Sequence, residues 1–447
     1  MIVSAVKLPS TNLKYVIHGG TRLEGTLFVQ GAKNAVLPMI AGALLPKRGR
    51  TVLRNVPPLN DVRISMALAQ SVGATVTHYE DEGVLVIDSS SVARHVLDSD
   101  LTRQSRASIL FLSPVLHRLG KVDFRGIGGC SLGVRRLDFH HNGLKRLGAQ
   151  VEGDHDQLLV TADELHGNLV YLDMPSQTST ENLMMAACMA SGTTIIENAA
   201  SEPEIVDFAA FLTKMGARLS GVGTRTIVVE GVRELKPVEH SVMPDRLDAS
   251  AFMMAAAITK GDVMFVGAEV EHMRLLVAKL EQMGVEITSD GRIVRVRGPE
   301  RLRPINVVTW PYPGFSTDFL PAIMTLATVA NGVSYFRENV FEDRFTHVDG
   351  LNSMGAQIRK QPANFAQVDG VERLHGGAVV APDLRAGMAF VLAGLVADGE
   401  TTIDNIYQIE RGHGHAEARL QGLGGQITRV TAEADAGPRL TRVRKVG

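Results

Sequence analysis

The stretch Asn182-Leu183-Met184-Met185-Ala186-Ala187-Cys188-Met189-Ala190-Ser191-Gly192 has almost no polar side chain. It runs directly into Thr193-Thr194-Ile195-Ile196-Glu197-Asn198. The first part reads as a helix with no solvent face, hence a buried one. The second is a β-branched strand. From Pro203 to Gly216, the apolar residues Ile205, Phe208, Phe211, Leu212 and Met215 recur at helical spacing. Gly216 fits the left-handed residue that ends a helix. Two short strands, Arg218-Leu219-Ser220 and Thr226-Ile227-Val228-Val229, follow.

This unit repeats. An apolar residue, a glycine and a small or apolar residue close a helical stretch at Val72-Gly73-Ala74, Leu147-Gly148-Ala149, Met215-Gly216-Ala217, Met283-Gly284-Val285, Met354-Gly355-Ala356 and Leu423-Gly424-Gly425. The six glycines lie 68 to 75 residues apart. That period is too long for a solenoid repeat and suits a small α/β unit. The same grammar recurs at 106–160 and 383–430. Six copies predict two domains of three units each. The end of the chain from Thr431, with Arg439, Arg442, Arg444 and Lys445, reads as a frayed tail.

The totals fit a soluble globular chain of two or three domains: 447 residues, 45 % hydrophobic and 21 % charged. A net charge of −2 gives no global basic field to recruit nucleic acid. Any anion site must come from local arginines. Two cysteines, Cys130 and Cys188, provide neither a disulfide framework nor zinc spacing. Cys188 belongs to the buried helix. The N-terminus lacks the apolar core of a secretory signal, and no apolar run is long enough to span a bilayer. A cytoplasmic location is the expectation, with monomer and oligomer both open.

Cys130 lies in Gly128-Gly129-Cys130-Ser131-Leu132-Gly133-Val134-Arg135-Arg136. Flexible glycines and nearby cations suit an exposed thiol that ionises easily. The arginines suit a phosphate or carboxylate. The residues alone leave two readings open: a reactive thiol beside an anionic substrate, or a free cysteine in a surface turn.

At this point the motifs resemble one family closely, the enolpyruvyl (carboxyvinyl) transferases. The resemblance rests on Gly31-Ala32-Lys33-Asn34-Ala35, Arg106-Ala107-Ser108, the Cys130 loop, Ile195 to Ala200, Glu202-Pro203-Glu204-Ile205, Pro244-Asp245-Arg246, Thr317-Asp318, Phe341-Glu342-Asp343-Arg344-Phe345, Asp383-Leu384-Arg385 and Glu410-Arg411-Gly412. It implies a two-domain inside-out α/β barrel of the EPSP-synthase type, with three βαβαββ-type units in pseudo-threefold symmetry per domain. Residues 33–243 would form the domain carrying the cysteine loop. Residues 1–32 with 244–430 would form the second, and 431–447 a flexible tail.

The implied reaction moves the enolpyruvyl group of phosphoenolpyruvate to a hydroxyl of a uridine nucleotide and releases phosphate. Lys33, Arg106, Arg135, Arg344, Arg385 and Arg411 match the family's donor-binding cations, and Cys130 and Asp383 match further donor-binding positions. Cys130 matches the acid that protonates the methylene carbon and can add covalently to the donor; in the family this thiol is alkylated by fosfomycin. Asp318 matches the base that takes the acceptor proton, and Lys33 and Arg411 complete the catalytic set. Asn34, Arg135, Arg136, Leu137, Asp138, Ser176, Gln177, Thr178, Asp318 and Val340 match nucleotide-binding positions. The resemblance also implies that the two halves close on the nucleotide with the cysteine loop as a lid. No cofactor and no metal is implied. Plainer readings stand beside these. Lys33 could be a solvated lysine at a helix start. Arg344, Arg385 and Arg411 could make surface ion pairs, and Asp318 could cap a helix beginning at Phe319. His140 and His141 read as structural or solvated.

The chain departs from the family around the acceptor. Val-Gly-Ala-Thr after Pro175-Ser176 becomes Gln177-Thr178-Ser179-Thr180, with Thr178 and Glu181 at capping-box spacing. Arg136 replaces a proline, Tyr312 and Ser316 stand in a usual His-Pro-Gly-Phe-Pro-Thr-Asp, and His413 replaces a tyrosine. These changes tip the expectation toward the 3′-hydroxyl of UMP, as in nikkomycin- or polyoxin-type antibiotic pathways. The alternatives are UDP-N-acetylglucosamine in peptidoglycan synthesis and a non-catalytic nucleotide-binding relative.

Overall fold

The computed structural model describes residues 13–128, 137–153, 157–362 and 364–431. All six repeat glycines have positive φ, between +91° and +109°. An L side chain is strained there. At Gly216 nothing else crowds the position, so conformation alone asks for the glycine.

Among the described residues the strands form six separate sheets, one per repeat. The third unit shows the plan. Leu169–Tyr171 runs parallel to Thr193–Glu197, which pairs antiparallel with Thr226–Glu230, which pairs antiparallel with Arg218–Ser220. The short parallel strand comes from the segment that leads in from the unit before. The same hand-over closes each set of three into a ring. Glu239–Ser241, beyond the third unit, pairs with Arg50–Arg54 of the first, and Val96 bridges to Asp123 of the second. In the other set Asn306–Val308 joins Val333–Arg337, Ala378–Val380 joins Glu400–Asp404, and Glu24–Phe28 joins Asp262–Val266. The sixth sheet takes Leu13–His18 from the start of the chain.

Helices occupy the interior and sheets the outside. The inner helices are α1 (Lys33–Gly42), α2 (Leu112–Leu119), α3 (Gln177–Cys188), α4 (Arg246–Ile258), α5 (Leu320–Thr328) and α6 (Leu384–Gly394). Every residue of α4, α5 and α6 is buried, as is every residue of α3 from Ser179 to Cys188. The outer strands alternate buried and more exposed positions, as in Val84–Asp88, so each sheet turns one face outward. Burial pushes the Cys188 thiol up to about 12, which suits its place in the core. The buried apolar residues fall into two clusters. One runs from Ala32 to Val242; the other joins Tyr15 to Leu27 with Leu247 to Ile427. We call these lobes one and two.

The chain passes between the lobes twice, and the two passages lie side by side. Gly31 bridges antiparallel to Pro244. The Ala32 N–H donates to the Met243 carbonyl (2.7 Å) and the Asp245 N–H to the Gln30 carbonyl (2.8 Å). A Cβ on Gly31 would stand 1.7 Å from the Asn55 carbonyl oxygen, so only glycine lets the backbones approach. Gly31→Ala is expected to cost more than about 3 kcal/mol, read from denaturant unfolding. An unchanged midpoint would show that the crossing yields freely.

Candidate active site at the lobe junction

The double crossing delivers two side chains to one place. Lys33 opens α1 just after the first passage, and Asp245 caps α4 just after the second. The Lys33 backbone N–H donates to Asp245 Oδ2 (2.9 Å), while Asp245 Oδ1 accepts the N–H groups of Leu247 (2.8 Å) and Asp248 (3.0 Å). The Lys33 ammonium turns to Asp61 Oδ2 (3.2 Å). Arg411, from lobe two, reaches the same carboxylate with Nε at 2.9 Å from Oδ1 and Nη2 at 3.3 Å from Oδ2. Burial alone would raise the Asp61 carboxyl, but Lys33 and Arg411 hold it below its usual range. One buried carboxylate of lobe one therefore presents a cation from each lobe.

A second cluster faces this one from lobe two. Asp318 lies in a 3₁₀ turn, Thr317–Phe319, ahead of α5. The Ser316 hydroxyl caps that turn (3.3 Å to the Asp318 N–H), so Asp318 is not the helix cap. Its side chain sits between two arginines. Arg344 Nη2 donates to Oδ1 at 2.8 Å, and Arg385 Nε and Nη2 stand 3.1 and 3.0 Å from Oδ2. Burial opposes ionisation, yet Arg385, Arg344 and then Lys33 hold the Asp318 carboxyl far below the usual range. The Lys33 contribution shows that the two clusters share one electrostatic field. Asp383 caps α6 by accepting the Arg385 and Ala386 N–H groups at 2.9 and 3.1 Å, and it takes the Thr346 hydroxyl at 2.9 Å. Arg344 Nε is pinned on the Thr317 carbonyl at 3.0 Å. Val340 belongs to the same frame, because Glu338 accepts its N–H (2.6 Å) and the Thr317 hydroxyl (2.9 Å).

The structure thus brings together Lys33, Asp318, Arg344, Asp383, Arg385 and Arg411. None of the three arginines is the surface residue of the plainer reading; all are buried, as is Lys33. Asn34 follows Lys33 on α1. Arg106 opens a 3₁₀ turn beside His140, whose imidazole is pushed down to about 3 by burial and then by the Arg106 charge. His140 is a buried core histidine held by Asn182 (3.2 Å). Leu137 is buried, and Asp138 begins the helix Asp138–Arg146. Ser176, Gln177 and Thr178 form the start of α3. The expected capping box is not there: Ser176, not Thr178, is the cap, and Glu181 is buried against Gln177 (3.3 Å). Several Ser and Thr in a row make that pattern ambiguous. Cys130, Arg135 and Arg136 lie outside the described residues, as does the basic tail beyond Thr431. Among the described residues no cluster of His, Cys, Asp and Glu could hold a metal ion, and no helix is long and apolar enough to cross a membrane.

Sequence reasoning named Asp318 and Asp383 but missed three other acids that hold cations. These are Asp61, Asp248 and Glu204, the last bound by Arg246 with Nε at 3.0 Å from Oε1. The only local signal for Asp61 was Pro57-Pro58-Leu59-Asn60-Asp61, a proline-stopped turn opening an apolar helix.

Two rings of three sheets about buried helices, meeting across fixed cations at a double chain crossing, define an enolpyruvyl transferase. Comparison with known proteins agrees. The chain belongs to the EPSP synthase (3-phosphoshikimate 1-carboxyvinyltransferase) family, whose sequence profile matches residues 17–420. It is 51 % identical over 424 residues to a UDP-N-acetylglucosamine 1-carboxyvinyltransferase of Thermobifida fusca, covering 93 % of this chain and 98 % of that one. It is 46 % identical over 424 residues to UDP-N-acetylglucosamine 1-carboxyvinyltransferase 1 of Symbiobacterium thermophilum, covering 94 % and 96 %. Among solved structures, the enolpyruvyl transferase NikO from Streptomyces tendae is similar with a TM-score of 0.84 at 23 % identity, covering 94 % and 99 %. An EPSP synthase from Acinetobacter baumannii gives 0.74 at 20 %, covering 94 % and 100 %.

Proposed function

We propose that this protein transfers the enolpyruvyl group of phosphoenolpyruvate to a hydroxyl of UDP-N-acetylglucosamine, releasing phosphate. The observation that carries the reaction is Asp318 between Arg344 and Arg385, facing Lys33 and Arg411. A base beside four fixed cations suits an acceptor hydroxyl meeting a donor that bears a phosphate and a carboxylate. Asp318 takes the acceptor proton, the oxygen attacks C2 of the donor, and the Cys130 thiol protonates the methylene carbon. The tetrahedral adduct then expels phosphate and loses a proton from the new methyl group. In the unliganded protein Asp318 is a weak base because two guanidiniums neutralise it. A donor anion drawing on the same arginines raises its proton affinity when the base is needed. Fixed cations around the developing charge supply most of the rate. Residues 33–243, and 1–32 with 244–430, act as the two domains.

The acceptor differs from the UMP favoured by the sequence departures. The relatives above 45 % identity are named for UDP-N-acetylglucosamine, whereas the likeness to NikO, at 23 % identity, concerns the fold. The start of α3 suits a nucleotide phosphate. The Ser176 cap takes the Ser179 N–H and leaves those of Gln177 and Thr178 for a diphosphate. Thr178 has no positive φ, so the lost glycine was not required by backbone conformation.

Phosphate release from phosphoenolpyruvate, measured with each nucleotide, tests this. Release is expected with UDP-N-acetylglucosamine and not with UMP. Release with UMP alone reverses the acceptor, and none with either leaves a nucleotide-binding protein.

A further inference from the structure

His413 follows Arg411 by two residues, yet it faces away from Asp61. It is fully buried between two groups. Its Nδ1 lies 2.9 Å from Asp248 Oδ1, and its Nε2 lies 3.3 Å from Arg385 Nη1. A guanidinium N–H can only donate, so Nε2 must accept and the proton must sit on Nδ1, directed at Asp248. Asp248 is itself fixed by Arg419, with Nη1 at 3.0 Å and Nη2 at 2.6 Å. Asp245 contributes a further negative field, and the Phe252 ring stands edge-on at 6.5 Å. Burial favours the neutral imidazole, the more so with Arg385 beside it, and outweighs the pull of Asp248.

The consequence falls on Arg385. Its Nε and Nη2 edge is on Asp318, and its Nη1 is on His413, so the fork is held from two sides. The edge between Nη1 and Nη2 is thereby aimed and is the one a donor carboxylate or phosphate would take in bidentate fashion. We propose that His413 is a positioning residue: a neutral imidazole, anchored by Asp248 and Arg419, that sets the orientation of Arg385 toward Asp318 and the donor anion. This rests on the function proposed above.

Steady-state kinetics with phosphoenolpyruvate and UDP-N-acetylglucosamine test it, alongside a thermal melt of each variant. His413→Phe fills the space without an acceptor for Arg385. It is expected to raise the KM for phosphoenolpyruvate by about 10- to 100-fold, the range for a hydrogen bond to a charged group, with the acceptor KM within about threefold. His413→Gln keeps a donor and an acceptor and is expected to recover most of that loss. An unchanged donor KM in His413→Phe overturns the proposal. So does a loss that His413→Gln fails to recover, or one spread equally over both substrates. Absence of turnover in the wild type is a different result: it overturns the proposed function and this inference with it.

Discussion

Asp318→Asn is expected to lower turnover by about 10²- to 10⁴-fold, the usual worth of a positioned general base. The amide keeps the shape and can still accept from one guanidinium, but it cannot take a proton. Substrate binding should suffer far less than kcat. Arg344 and Arg385 lose only their neutralising partner and remain free to grip an anion. The donor KM is therefore expected to stay level or fall, because the anion no longer competes with a carboxylate for the same forks. A loss confined to KM would show that Asp318 merely organises the arginines, and the base would have to be sought elsewhere.

The second large effect concerns the joint between lobes. Arg246 opens α4 in lobe two, and Glu204 opens the helix Pro203–Lys214 in lobe one. Both are buried, and Arg246 Nε and Nη2 reach the Glu204 carboxylate at 3.0 to 3.2 Å. Tyr312 and Phe319 place their rings 5.4 and 5.9 Å from the guanidinium carbon. Arg246→Leu leaves the Glu204 carboxyl without its partner in a buried interface beside Glu202. A loss of about 3–5 kcal/mol is expected in denaturant unfolding, as for other half-broken buried pairs. Removing the second charge as well should return most of it, so the double variant Arg246→Leu with Glu204→Leu is expected to be more stable than Arg246→Leu alone. A double variant with summed losses would mean that the pair matters through packing and not charge.

The fold was legible because its signals are local and repeated six times. A positive-φ glycine after each helix and an all-apolar helix before each β-branched strand need no knowledge of partners. The hand-over strands were harder to see, since a three-residue strand such as Leu169–Tyr171 is too short to show alternation. The entry of Leu13–His18 into the sixth sheet is a tertiary event with no local mark. At the site, Lys33, Arg344, Arg385 and Arg411 were found by motif, and burial now explains why they are fixed. Asp318, the partner of Arg344 and Arg385, belongs to the same motif reading, whereas Asp61, which holds Lys33 and Arg411, has no motif to mark it. Asp61 and Arg411 are 350 positions apart, and no periodicity links such residues. His413 was noticed as an oddity of sequence, and only its two neighbours in space give it work.

The paired crossing has a consequence for the origin and engineering of the molecule. Lobe one enters at residue 32 and leaves at residue 243, and those two residues share a hydrogen bond of 2.7 Å. Its ends therefore meet at a single point, the geometry of a guest inserted into a loop of a host. Either lobe can be cut out or given new termini on its far side without stretching the other, and whole lobes can be exchanged between relatives at one seam.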